Sequence, residues 1–378
     1  MKGALSGRRI GLLTASAGSR GGGVSQVVAD LAAMIRTSGG EPLVFALDDD
    51  EREAAAATLS PTPLTVAKIV GPPQIGYAPG QLRQLLEARL DLLHLHGIWM
   101  HPSRVGAQWA RATGRPYLIS THGMFEPWTA TRGRWKKALA RVGYERSSWA
   151  RASAFHALTA NEAQDIARVT RRVEAIVIPN AGPDCGRAPH SGRPPEVLYL
   201  GRIHPKKNFA GLIAGWRIAR RPQGARLNIA GWGTTDDVAE FKRILAAAKD
   251  PSIVFHGPAF GDAKQHLLET SRFVILPTFS EGLPMVILEA WAAGTPVIMS
   301  EACNLPEGFA ANAAMACATT PDGIALALEN GLSLDEAAWL AMARAAQSLA
   351  KERFSAASVA RRWERAYTSL LVAKEAPD

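Results

Sequence analysis

Two glutamates, Glu281 and Glu289, stand eight positions apart in the stretch from Pro277 to Ala290, separated by Gly282-Leu283-Pro284-Met285. A strand pattern ends before Glu281, and Pro284 suits the first turn of a helix that carries Glu289. Backbone N–H groups of Gly282 and Leu283 at that helix start can meet an anion. The two carboxylates can accept hydroxyls, one from a sugar and the other from a ribose. Gly201-Arg202-Ile203-His204-Pro205-Lys206-Lys207-Asn208 also lies just past a strand pattern. Arg202 offers a bidentate fork and Lys207 a point charge, a pair suited to a diphosphate; a solvated turn is the competing reading. Arg20-Gly21-Gly22-Gly23 follows the first strand pattern and opens a helix. It fits an anion approaching Gly22 and Gly23, or a plain strand-to-helix turn. The spacing is neither a dinucleotide fingerprint nor a P-loop. His122, in Ser120-Thr121-His122-Gly123-Met124, follows another strand pattern and can serve a sugar or phosphate oxygen or be a buried structural residue. His94, His96 and His101 cluster near a strand end without a clear carboxylate companion, so no metal is assigned.

Short apolar runs alternate with helical spacing through both halves of the chain. Ile10–Thr14, Leu43–Leu47, Leu64–Val70, Leu92–Leu95, Pro116–Ser120, Ala154–Leu158 and Ala175–Ile178 read as strands. From Pro179 to Pro195 five prolines and three glycines read as a linker. Strand patterns resume at Val197–Leu200, Arg226–Ala230, Ile253–His256, Phe273–Leu276 and Pro296–Met299, with helices between them and two or three more from Asp335 to Val372. This alternation predicts an α/β chain of two doubly wound parallel sheets. Ligands in such folds gather at the carboxyl ends of the strands, and a cleft between two facing domains is the default site.

The composition excludes several classes. The 378 residues are 47% hydrophobic and 20% charged, as in ordinary globular proteins. The three cysteines, Cys185, Cys303 and Cys317, are scattered and form no zinc or disulfide pattern, which suits a reducing compartment. No run approaches a membrane span, and the short apolar run after Arg8-Arg9 reads as a strand rather than an export signal. Of the net charge of +9, residues 1–180 carry +8. Much of it lies in Arg132, Arg134, Lys136, Lys137, Arg141, Arg146 and Arg151, interleaved with Trp128, Trp135, Tyr144 and Trp149. Three readings compete for this patch: a solvated helix, an anionic membrane surface or lipid-diphosphate, and, last, nucleic acid, for which no binding signature is present. Asp48-Asp49-Asp50 contains Asp-x-Asp but reads as a solvated acidic loop.

Taken together, these residues resemble the retaining glycosyltransferases of family 4, which have the GT-B fold of two facing Rossmann-like domains. The resemblance spans almost the whole chain. It is most specific from Ser280-Glu281-Gly282-Leu283-Pro284 through Glu289-Ala290 and on to Gly294-Thr295-Pro296-Val297. Ile178-Pro179-Asn180-Ala181-Gly182 resembles the family linker, although Ala181-Gly182-Pro183 departs from the usual Gly-Val-Asp. Ile229-Ala230-Gly231-Trp232-Gly233 resembles its nucleotide-side turn, and Ser120 to Trp128 a subgroup of bacterial surface-polysaccharide assembly.

The resemblance implies that Arg202 and Lys207 hold and stabilise the departing diphosphate. Glu281 touches the transferred sugar, the Gly282–Met285 backbone (Gly282, Leu283, Pro284, Met285) assists, and Glu289 holds the ribose. Gly231 lies beside the nucleotide, Gly22 and Gly23 approach the diphosphate from the other domain, and His122 meets the sugar or phosphate. Transfer would retain the anomeric configuration, with no metal or other cofactor. The expected donor is a UDP- or GDP-sugar. The expected acceptor is a glycan or a lipid-diphosphate-linked sugar, with an anionic membrane surface as a further partner and no nucleic acid. The expected division is an acceptor-binding domain over 1–180, a nucleotide-sugar domain over 181–355, and a helix over 356–378 packing back on the first. The expected place is the cytoplasm, with peripheral attachment to the inner face of the membrane. An epimerase of the same fold and a non-catalytic nucleotide-sugar-binding protein are the alternatives.

Overall fold

In the computed structural model residues 3–126, 134–172 and 175–373 are described, 134–136 by backbone alone. Contacts divide the chain into two compact units, Met1–Pro179 with Ala360–Asp378, and Asn180–Val359.

Among the described residues the first unit holds seven parallel strands: β1 (Arg9–Thr14), β2 (Glu41–Leu47), β3 (Leu64–Ala67), β4 (Leu92–His96), β5 (Tyr117–Ser120), β6 (Ala154–Ala157) and β7 (Ala175–Val177). Their order is β3-β2-β1-β4-β5-β6-β7, so the winding reverses between β1 and β4. A parallel sheet covered on both faces needs strands that are apolar throughout. Ile10, Leu12 and Leu13 of β1 and Leu92, Leu93 and Leu95 of β4 are accordingly buried. The same strand buries His94 and His96, which being two apart share one face of the sheet.

The second unit repeats the plan with β8 (Glu196–Arg202), β9 (Arg226–Trp232), β10 (Ile253–Gly257), β11 (Phe273–Leu276), β12 (Val297–Met299) and β13 (Ala314–Ala316), ordered β10-β9-β8-β11-β12-β13. Trp216, Trp291 and Trp339 are fully buried in its core. Both sheets are Rossmann-like and doubly wound, as the alternating pattern predicted.

The stretch read as a linker is fastened to the second unit from Gly182 onward. Gly182 N donates to Phe354 O at 2.7 Å and Gly186 N to Ala292 O at 3.1 Å. Arg193 is buried, and its guanidinium donates to Ser271 O at 2.9 Å, Thr295 Oγ1 at 2.6 Å and Ala293 O at 3.3 Å. The indole of Trp339 lies 5.2 Å from the same guanidinium. An unpaired arginine is buried only when carbonyls and an aromatic face replace its water, and a count of prolines carries no trace of that.

The last helix, Ala356–Val372, brings residues from position 360 onward into the first unit. There Arg362 donates to Val177 O at 2.8 Å, and Tyr367 is fully buried. No helix among the described residues is long and apolar enough to cross a membrane.

Candidate active site

In the second unit the strand ends β8, β9 and β11 assemble one polar site. Arg202, exposed, ends β8 and pairs in register with Trp232 of β9. Just beyond it Pro205–Lys207 forms a short 3-10 turn that His204 Nδ1 caps by accepting Lys206 N at 3.2 Å. Asn208 stands in the left-handed region (φ 60°) and caps the helix Phe209–Ile218 by accepting Gly211 N at 3.2 Å. Its amide donates to Pro277 O at 3.1 Å and Thr319 O at 2.8 Å. Lys206 O accepts Thr278 Oγ1 and Phe279 N, each at 2.9 Å. These bonds fix the lysine turn against the loop that carries Glu281.

The result is a buried ion pair between Lys207 Nζ and Glu281 Oε1, with Lys206 Nζ at 4.0 Å from Glu281 Oε2. Asn304 Nδ2 donates to the Glu281 carbonyl, and Glu281 N donates to Ala302 O at 3.0 Å. Lys206 and Lys207 against Glu281 leave the local charge positive. The site therefore favours an anion, while Glu281 remains an acceptor for hydroxyls. Leu283 and Met285 are partly buried, Pro284 is buried and caps the helix Met285–Ala292, and Gly282 precedes it. Glu289 in that helix is held by Lys264 Nζ at 2.9 Å. Gly231 permits a close approach of strands: a Cβ there would sit 2.2 Å from Gly201 O.

The first unit places Gly22, Gly23 and His122 at its own strand ends. Gly22 (φ 57°) turns the chain into the helix Gly23–Thr37, which has no acid in its first turn. The acidic loop beyond β2 keeps Asp50 in solvent, as expected of it, and also bonds to the glycine loop. Asp49 Oδ2 accepts Ser16 Oγ at 2.8 Å, Asp50 pairs with Arg20 at 2.9 Å, and Glu51 accepts Ser19 Oγ at 2.6 Å and Arg20 N at 3.3 Å. The hydrogen bond from Ser19 is the main reason the Glu51 carboxyl titrates below its ordinary range. These carboxylates brace the glycine loop, and Asp49 and Asp50 help line a cavity of about 690 Å³ with Ser16, Lys68, Met100 and His96.

His122 occupies a left-handed turn after β5 (φ 49°). Buried Glu162 shapes that turn by accepting Thr121 Oγ1 and Gly123 N, each at 2.6 Å, and Leu158 N at 2.8 Å. Glu162 was not singled out from the sequence, although Thr159-Ala160-Asn161-Glu162 carries the spacing of a capping box. His122 Nε2 lies 3.1 Å from His96 Nδ1, and His96 Nε2 is buried without a hydrogen-bond partner beside the cavity.

Behind these two lies a chain of hydrogen bonds whose direction is fixed by its end. Ile178 O can only accept, so His156 Nε2 donates to it, at 2.8 Å. His156 Nδ1 must then accept from Ser120 Oγ at 2.7 Å, Ser120 accept from His94 Nε2 at 2.7 Å, and His94 Nδ1 accept from Tyr367 Oη at 2.9 Å. Both imidazoles are neutral. Burial holds His94 and His96 well below the usual range and brings His156 and His122 to about 4. The histidines satisfy hydroxyls, a carbonyl and one another. Among the described residues no group of three or more His, Cys, Asp or Glu could hold a metal ion.

Comparison with known proteins matches each unit to a glycosyltransferase family. Residues 22–181 match the glycosyl transferase 4-like domain and residues 194–333 the glycosyl transferases group 1. The chain belongs to the glycosyltransferases of GT-B fold. It is 33% identical over 185 residues to a glycogen synthase of Mycobacterium tuberculosis, which covers 47% of this chain and 43% of that protein. It is 27% identical over 113 residues to the O-antigen chain mannosyltransferase B of Escherichia coli, covering 29% of this chain and 30% of that protein. The matched stretches thus span less than half the length of these relatives. The fold is also that of Anabaena Alr3699/HepE in complex with UDP, with a TM-score of 0.77, 19% identity, and coverage of 96% of this chain and 100% of that one.

Proposed function

We propose that the chain is a retaining glycosyltransferase of the family 4 type that moves a hexosyl group from a UDP- or GDP-sugar to a glycan or lipid-linked glycan in polysaccharide assembly in the cytoplasm. The observation that carries this reading is the pair of lysines, Lys206 and Lys207, held against Glu281 beyond the ends of β8 and β11, with Arg202 ending β8. When the bond from the anomeric carbon to the diphosphate breaks, charge builds on the leaving oxygen. Cations held in place before the reaction stabilise that charge without reorganising. An arriving diphosphate competes for Lys207 and frees Glu281 to accept hydroxyls of the sugar. Glu289 accepts the ribose hydroxyls, and the backbone from Gly282 to Met285 and at Gly231 lines the donor. The acceptor oxygen attacks the face the diphosphate leaves, and its proton passes to the leaving phosphate oxygen. The chain's own cations do the neutralising, with no metal cofactor.

The cavity of about 690 Å³ in the first unit is proposed to take the acceptor sugar, because Asp48, Asp49 and the open Nε2 of His96 are hydrogen-bonding groups for hydroxyls. The UDP in the Anabaena neighbour and the mannosyl transfer in the name of the Escherichia coli relative support the choice of ligand class. A thermal-shift screen over UDP-, GDP- and ADP-sugars, followed by the anomeric configuration of the product, tests the reading. A nucleotide sugar that raises the melting temperature and an acceptor-dependent product of retained configuration support it. Epimer formed from donor alone, or no shift with any nucleotide sugar, overturns it.

A further inference from the structure

A second cavity, of about 570 Å³, opens on the first unit away from the strand ends named above, and its charged lining is arginine: Arg141, Arg146, Arg171 and Arg172, with Trp149 and Thr170 among them. Two of the four have structural anchors. Arg141 donates to Val169 O at 3.3 Å and lies 5.8 Å from the Trp149 ring; Arg172 donates to Ala152 O at 2.8 Å. Carbonyls and a ring orient these guanidiniums without cancelling their charge. Arg146 and Arg171 are exposed, and no ion pair to any of the four is present among the described residues. The one acid of this helical stretch, Glu145, is turned inward. It is fully buried and accepts Trp99 N at 2.5 Å, and burial raises its carboxyl to about 7. The nearby Asp165 is engaged with Arg168 at 2.7 Å.

The helical run Arg134–Ala140, Arg141–Glu145 and Arg146–Arg151, whose middle turn is π-helical, also presents apolar side chains to solvent. Leu139 is 66% exposed and Val142 75% exposed, three positions apart and so on one face, with Arg146 four positions further on. A phosphoryl anion satisfies the guanidiniums, because Arg binds phosphate oxygens in a bidentate way. A soluble phosphate leaves Leu139 and Val142 in water, as does a nucleic-acid backbone. A bilayer with anionic headgroups meets both requirements at once, since it offers phosphates at the depth of the arginines and acyl chains below. We infer that the Arg141–Arg146–Arg171–Arg172 pocket and the Leu139–Val142 ridge form a docking site for the phosphates of an anionic lipid bilayer. The flanking Trp128 and Arg132 of the basic stretch lie outside the described residues and play no part in the inference, which stands independently of the proposed transfer reaction.

The test is co-sedimentation of the full chain with vesicles of phosphatidylcholine alone and of phosphatidylcholine mixed with phosphatidylglycerol. Two double variants accompany it, Arg146→Gln with Arg171→Asn and Leu139→Ser with Val142→Ser. Asn is chosen at 171 because that residue has φ 60°. The expected result is salt-sensitive binding to the mixed vesicles only. Removing the two charges is expected to weaken it roughly thirtyfold, and the serine pair should weaken it as well. Melting temperatures of both variants within the range of the parent chain separate loss of docking from loss of fold. Equal binding to neutral vesicles, or undiminished binding by the arginine variant, overturns the inference. So does displacement by inorganic pyrophosphate at matched ionic strength, which assigns the pocket to a soluble anion. Tighter binding of an oligonucleotide than of mixed vesicles at the same salt overturns it too.

Discussion

Lys207 Nζ is hydrogen-bonded to Glu281 Oε1 across 74 positions of the chain, and both side chains are largely buried. Cutting one partner leaves the other as an uncompensated charge. Lys207→Met is expected to lower unfolding stability by about 3 kcal/mol and to abolish measurable donor binding. Adding Glu281→Gln should restore most of the stability but none of the binding. Urea unfolding and calorimetric titration with the donor measure the two effects separately, and recovery of binding in the double variant would refute the proposed role of Lys207.

Arg202 ends β8 with its side chain exposed, so its removal is not expected to disturb the core. Arg202→Ala should reduce kcat by roughly 10²–10³, the typical effect of losing one preorganised donor to a developing oxyanion. Its melting temperature should stay unchanged. Equal kcat in the variant and the parent would remove Arg202 from the reaction.

The buried histidines make stability depend on pH in a defined window. Their folded values lie below the ordinary 6.5, at about 4 for His122 and His156 and well below it for His94 and His96. Above pH 6.5 the imidazoles are neutral in both states and nothing is lost. As the pH falls from 6.5 toward 4 the unfolded chain binds protons that the fold refuses, so stability declines by up to about 1.4 kcal/mol per pH unit for each such histidine. Unfolding free energies measured across this range check the slope. Tyr367→Phe, which leaves His94 Nδ1 without its donor, should cost a further 1–3 kcal/mol or about that, read by urea unfolding at pH 7.5 or so.

Arg193 fastens the 180–195 stretch by three hydrogen bonds and an aromatic face. Arg193→Ala is expected to destabilise the second unit by about 3 kcal/mol, because Ser271 O and Ala293 O lose a charged donor in a buried site. Limited proteolysis should then cut this stretch faster. Unchanged cleavage would show that the bonds add nothing to its attachment.

The strands were the most legible part of the chain. Phe273–Leu276 is a strand as read, and most others differ only at their ends, because a doubly covered parallel strand must be a continuous apolar run. β13 (Ala314–Ala316) was not read: three small residues leave no periodicity. The expected strand Leu64–Val70 stops at Ala67 because Val70, half exposed, pairs outside the sheet. The helix Pro321–Leu332 escaped notice although Ile324, Leu328 and Leu332 have helical spacing and Thr320 caps it. Charge type and strand-end position marked Arg202, Lys207 and Glu281, and helical position Glu289; of these the structure brings Lys207 and Glu281 together. What escaped was the scaffolding role of Asn208, Thr278 and the Asp49–Glu51 loop, because a hydrogen bond between positions far apart leaves no local spacing to read; the capping-box spacing of Glu162 was there to read, but not its bonds to Thr121 and Gly123.

The return of the last helix to the first unit sets an order of events during synthesis. The second unit is one uninterrupted stretch, Asn180–Val359, whereas the first needs residues from both ends of the chain. As a ribosome delivers the polypeptide, His94 must wait some 273 positions for the phenol of Tyr367 to emerge. The first unit is completed only after the second has been made, and until then His94 and His156 lack the rings of Trp363 and Tyr367 that pack on them.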